Sequence, residues 1–198
     1  MCTSILHCAF NIGLIIATGL IAVAVFTPGW QYVEAKTNDQ AGNRNNEVQK
    51  TYSRGLVVVN CGEKFEHCFK DFWQRLTKYE KIALALFGAC LLFCLVAHVY
   101  SCLIGCTCCF RSCLIGPLPV LCLIAFAFDL AAILIYCFKT TDVKEWERII
   151  REENPNITLE ELKNFGYSLY LAAIGGLTLL VDFVIGIFLA CSAKSSPI

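Results

Sequence analysis

Four stretches of this 198-residue chain are each apolar over about 20 residues or more, the length a helix needs to cross the hydrocarbon of a bilayer. They cover residues 5–26, 82–104, 114–137 and 167–191. Backbone polar groups in lipid must be satisfied within their own segment, so each run is predicted to be a helix. The first run has no basic residues ahead of it and is longer than the apolar part of a cleaved leader, so it reads as a span. With 57% hydrophobic residues and a mean hydropathy of +0.62, little chain is left for a separate soluble domain, and residues 1–198 read as one tetraspan unit. Sixteen basic residues balance sixteen acidic ones, so no net field recruits nucleic acid or an anionic membrane surface.

Two signals disagree about orientation. Nine Lys and Arg fall in residues 27–81 and five in 138–166, against only Arg111 and Lys194 elsewhere. A simple positive-inside count would put those two loops in the cytosol. Their charge, however, is diluted by fourteen acids, and the first loop approaches the length at which the rule weakens. Cysteine usage argues the other way. The two large loops hold only Cys61 and Cys68, a pair that suits a disulfide in an oxidising space. Five more crowd the short gap "SCLIGCTCCFRSC": Cys102, Cys106, Cys108, Cys109 and Cys113. Juxtamembrane thiols fit the reducing side, where they are candidates for S-palmitoylation. A zinc site in this gap would want paired C-x-x-C arms or a histidine, and the gap offers neither. The sequon "NIT" makes Asn156 a candidate for N-glycosylation and agrees with an outside second loop. The expectation is therefore a multi-pass plasma-membrane protein with both termini cytosolic and loops 27–81 and 138–166 extracellular.

Inside the first loop, "WQYVEA" alternates and "GLVVVNC" is β-branched, so both read as strands. Residues 36–50 read as a turn or insert. "CGEKFEHC" reads as a hairpin that a disulfide can close. From Phe69 onward, apolar residues at 3–4 spacing (Phe69, Phe72, Leu76, Tyr79) predict a helix leading into the second span. Trp30, just past the first span, is placed where an indole anchors at the membrane interface. A few short strands bury little apolar area, so this sheet needs fastening.

The order Trp30, Gly55-Leu56, Cys61, Cys68 on a tetraspan chain resembles the W…G-L-W…C…C signature of the claudin and peripheral myelin protein superfamily. "TPGW" is similar to the way that family leaves its first span. Val57 stands where the motif has its second Trp, and the cysteine spacing is shorter than in most claudins. Among subfamilies, the nematode Clc-like branch is the invertebrate claudin-type group this points to. The resemblance implies a claudin-like fold, an all-α four-helix transmembrane bundle with a small extracellular antiparallel β-sheet in the first loop. It also implies a non-enzymatic protein of cell junctions, acting in cell–cell adhesion or as a paracellular barrier with ion selectivity. Partners would then be membrane lipids and itself or other claudin-like chains in cis and trans. The alternative is an auxiliary subunit that docks on an ion channel or receptor.

The residues agree that no catalytic machinery is implied. His7, His67 and His98 form no nucleophile–base spacing, and neither phosphate loops nor metal-ligand repeats occur, so no cofactor or metal is expected. In the second loop, "DVKEWERIIREEN" predicts a helix with Trp146, Ile149 and Ile150 on one face, a surface for the chain's own sheet or a partner. "TLEE" then offers a capping box from Thr158 to Glu161. The ending "SPI" sets Ser196 two positions before Ile198, as in a ligand for a PDZ protein.

Charged and polar side chains within the spans must face the bundle interior. With span midpoints near residues 16, 93, 126 and 179 and a rise of about 1.5 Å per residue, Asp182 falls near the depth of Asn11 and His98. Asp129 falls near Thr18, about 9 Å away along the membrane normal. The expected contacts are His98 with Asp182 and Asp129 with Thr18, as polar glue between helices.

Overall fold

The structure is a computed structural model that describes residues 2–37, 48–54, 56, 73, 76–106, 115–139 and 157–194. Four helices dominate it: α1 (Cys2–Phe26), α2 (Lys78–Cys106), α3 (Pro117–Lys139) and α4 (Tyr167–Lys194). All four are long and apolar enough to cross a membrane. Their boundaries have local causes. Pro117 opens α3 at the position where a missing N–H costs nothing. Thr77 and Glu80 form a capping box at the start of α2: the Thr77 N–H donates to Glu80 Oε2 (2.9 Å) and the Glu80 N–H donates to Thr77 Oγ1 (3.3 Å). Leu76 lies in a bend just ahead of that cap, which separates α2 from the predicted helix before it; there Trp73 is helical, while Phe69 and Phe72 lie outside the described residues.

The helices pack as a ring, α1 against α2 and α4, and α3 against α2 and α4. Inward positions combine large residues (Phe10, Ile21, Phe87, Leu118, Leu179) with small ones (Ala17, Ala97, Ala125, Ala172) that let backbones approach. Phe93 of α2 stacks on Phe128 of α3 with ring centroids 5.5 Å apart. Outward positions such as Ile12, Leu92, Leu134 and Leu177 are exposed and apolar, as a lipid-facing surface requires.

Three strands, β1 (Gln31–Thr37), β2 (Val48–Arg54) and β3 (Ile157–Phe165), form an antiparallel sheet in the order β2-β1-β3. Gln31 pairs with Arg54 on one side and with Phe165 on the other. The β1–β3 register shifts between Val33 and Ala35, which pair with Lys163 and Leu159. The strand predicted at "WQYVEA" is thus present, but its neighbours differ from those expected. Val48–Lys50 belong to β2 rather than to a turn. "GLVVVNC" lies outside the described residues except Leu56, which sits in a bend. "TLEE" is not a helix start: Thr158 lies in β3, opposite Lys36. A capping signature is a local signal, whereas pairing with β1 satisfies the same backbone groups from a distance.

Candidate functional site at the strand end of the bundle

The chain leaves α1 through "TPGW" and enters α4 through "FGYS", and these two tetrapeptides meet. Trp30 has no exposed surface and packs against Phe87 of α2 (centroids 5.3 Å) and Tyr136 of α3 (4.8 Å). Its indole N–H donates to the Ala24 carbonyl at 2.7 Å. Ala24 lies in the last turn of α1, so the indole satisfies a carbonyl that the helix itself leaves open. Trp30 is therefore a plug between α2 and α3 rather than an anchor at the lipid interface.

Backbone hydrogen bonds fasten the two segments: Gly166 N–H to Trp30 O at 3.0 Å and Ser168 N–H to Gly29 O at 2.9 Å. The Thr27 and Ser168 hydroxyls lie 2.7 Å apart and share a proton position. Glycine is required on both sides. A Cβ at Gly166 would strike the Gly29 carbonyl, and one at Gly29 would strike the Tyr167 ring. Leu56, brought in from the first loop, is buried in the same apolar cluster. Strands β1 and β3 continue outward from this seam, so residues of both large loops share one sheet.

Further into the bundle, the intramembrane polar residues sort differently from expectation. Thr18 Oγ1 lies 3.3 Å from His98 Nε2 and donates to the Leu14 carbonyl at 2.7 Å. His7 Nε2 lies 3.2 Å from Ser101 Oγ, and the Asn11 amide donates to the His7 carbonyl at 2.8 Å. His98 therefore pairs with Thr18 rather than Asp182: α2 packs against α1 and α3, whereas Asp182 sits on α4 across the ring, so the shared depth does not bring the two side chains together. Asp129 and Asp182 are both buried at 1% exposure, and neither Asp129 Oδ1 nor Asp182 Oδ2 has a hydrogen-bond partner. Instead, each carboxylate fills a notch in a neighbouring helix: Asp182 lies against Gly13 of α1, and Asp129 of α3 against Gly176 of α4. Gly176 precedes Asp182 by six residues, a rise of about 9 Å. Those two notches were not predicted, since nothing in a glycine's local sequence says which helix it will face.

Cys102 is exposed on α2, and Cys106 closes that helix. Cys61, Cys68, Cys108, Cys109, Cys113, Trp146, Ile149, Ile150, Asn156, Ser196 and Ile198, together with Gly55, lie outside the described residues. No group of three metal-ligating side chains occurs among the described residues.

Four membrane-length helices in a ring, with strands at the end where α1 finishes and α4 begins, define a multi-pass tetraspan membrane protein. The chain belongs to the claudin-like family: the family model described as "Tight junction protein, Claudin-like" matches residues 1–195. No curated protein matches the sequence. Membership makes this a membrane protein of the junction and barrier type, in a family of non-enzymatic structural proteins.

Proposed function

We propose that this protein acts at cell–cell contacts of the plasma membrane, as an adhesion or paracellular barrier element whose two large loops form one outward-facing surface. The observation that supports this is the sheet β2-β1-β3, which joins strands from both loops and is tied to the bundle at Trp30, Gly29 and Gly166. A surface fastened this way keeps its shape when a second copy, or another claudin-like chain, meets it in cis or in trans. The whole chain then works as a single tetraspan domain with both termini cytosolic. A Cys61–Cys68 disulfide steadies the first loop, acyl groups on the thiols from Cys102 to Cys113 seat the inner loop, and glycan at Asn156 marks the outer one. Trp146, Ile149 and Ile150 add a contact face beside the sheet, and Ser196 and Ile198 offer a PDZ ligand on the inner side. Charges on the loops tune which ions pass between cells. Expression in an epithelial monolayer without such strands tests the reading. Ion permeability between the cells should change, and should return to the parental value with Trp30→Ala at equal surface expression. Unchanged permeability for the parent chain would refute the barrier role.

The auxiliary-subunit reading has its own support, in polar atoms that face outward within the membrane.

A further inference from the structure

The α1–α2 seam differs from the rest of the bundle. Two side-chain hydrogen bonds join the spans here within the membrane, His98–Thr18 and Ser101–His7. Those bonds also fix which polar atoms are used up. With the Thr18 proton on the Leu14 carbonyl, the network assigns the His98 proton to Nε2, which donates to Thr18 Oγ1. His98 Nδ1 is then a bare acceptor. Asn11 spends its amide N–H groups on the His7 carbonyl and on His7 Nδ1, leaving Oδ1 as a second bare acceptor. Neither atom is among the buried polar atoms lacking partners, and both residues are only half-buried, so both acceptors open onto the outer surface of the bundle.

Depth decides what can meet them. Asn11 and His98 each lie about five residues from the middle of their spans, about 7 Å from the midplane. The hydrocarbon boundary is about 15 Å from the midplane, so these acceptors sit well below the headgroups. Acyl chains cannot donate a hydrogen bond, and lipid hydroxyls and amides stay at the interface. A neighbouring transmembrane helix can bring a donor to this depth. The walls suit one: Ile15, four residues after Asn11, and Leu95, three before His98, are 61% and 59% exposed and flank the acceptors with apolar surface.

We propose that the α1–α2 seam is a docking groove for a transmembrane helix of another protein, one presenting a side-chain N–H or O–H donor such as Asn, Gln, Ser or Thr to His98 Nδ1 and Asn11 Oδ1. Such a helix would attach laterally within the membrane, and this attachment does not depend on what the loops do. At the depth of the seam the chain's own lipid face offers no complementary donor among the described residues: exposed Tyr170 and Cys8 lie nearer the ends of their spans, and Thr178, nearer the midplane, gives its hydroxyl proton to the Ile174 carbonyl. That favours a different protein over a second copy.

The test places the full chain in phosphatidylcholine vesicles with trace amounts of labelled synthetic polyleucine helices, one carrying a single Gln at the depth of Asn11 and one all leucine. Energy transfer should show the Gln helix associating at least about tenfold more than the all-leucine helix, roughly the worth of one good interhelical hydrogen bond in lipid. The excess should vanish in Asn11→Leu/His98→Phe. It should also vanish in Ile15→Trp/Leu95→Trp, which keeps both acceptors but fills the groove, so loss of folding in one variant leaves the other decisive. Equal binding of the two helices to the parent would overturn the proposal, as would an excess that survives both variants. Labelling of Ile15 and Leu95 by a photoreactive sterol, unaffected by added Gln helix, would assign the groove to lipid and overturn it as well.

Discussion

A methyl group at Gly13 would land on the Asp182 carboxylate, and the size of that conflict can be worked out from the structure. The three atoms nearest to a Cβ built there all belong to Asp182, with Cγ at 2.9 Å. A real Cβ essentially never comes that close, so α1 and α4 must separate or Asp182 must leave its rotamer. Overpacking of this kind costs about 1–3 kcal/mol. Against it stands the gain of about 0.5–1 kcal/mol that alanine brings to a helix interior. Gly19, on the same helix, isolates that gain, because nothing lies within 4 Å of its added Cβ. Gly13→Ala should therefore be less stable than Gly19→Ala by about 1–3 kcal/mol. Asp182→Ala empties the notch, so Gly13→Ala added to Asp182→Ala should cost little, giving a coupling of the same size and opposite sign. Reversible unfolding in mixed micelles, followed by tryptophan fluorescence across the four variants, measures the cycle. Equal stability of Gly13→Ala and Gly19→Ala would refute the packing argument, as would strict additivity with Asp182→Ala.

The other predictions use the same unfolding assay or a mass measurement. Trp30→Ala should destabilise by about 3–5 kcal/mol, the usual loss for a fully buried Trp. Trp30→Phe should cost less, because Thr27 Oγ1 still donates to the Ala24 carbonyl at 3.2 Å. Thr27→Val and Ser168→Ala should each cost about 1 kcal/mol, and the double variant no more than either single, since they share one hydroxyl pair. Mass mapping of folded protein should find Cys61 and Cys68 joined; free thiols at both would contradict the extracellular placement of the first loop.

What could be read from the sequence followed the range of the interaction concerned. The four spans were plain because hydropathy over 20 or so residues is a property of the segment alone, and the helices begin and end within a few residues of the apolar runs. Strand β1 showed itself by alternation. Strands β2 and β3 did not, because "VQKTYSR" and "ITLEELKNF" become strands by pairing with β1, from positions far apart in the chain. The capping box at Thr77 and Glu80 was visible in "TKYE" and was missed, while the one expected at Thr158 sits in a strand. Depth arithmetic gave levels for the polar residues but not azimuth or reach. It therefore could not foresee that His98 leans outward to Thr18 or that Asp129 and Asp182 rest on glycines.

The central claim is that the two loops form one surface by which copies on neighbouring cells meet. Mixed cultures of cells expressing a fluorescently tagged chain and cells without it test that claim most directly. Contacts between two expressing cells should concentrate the protein severalfold over the free membrane, and contacts between an expressing and a non-expressing cell should not. Uniform distribution at every type of contact, with the protein present at the surface, would contradict it.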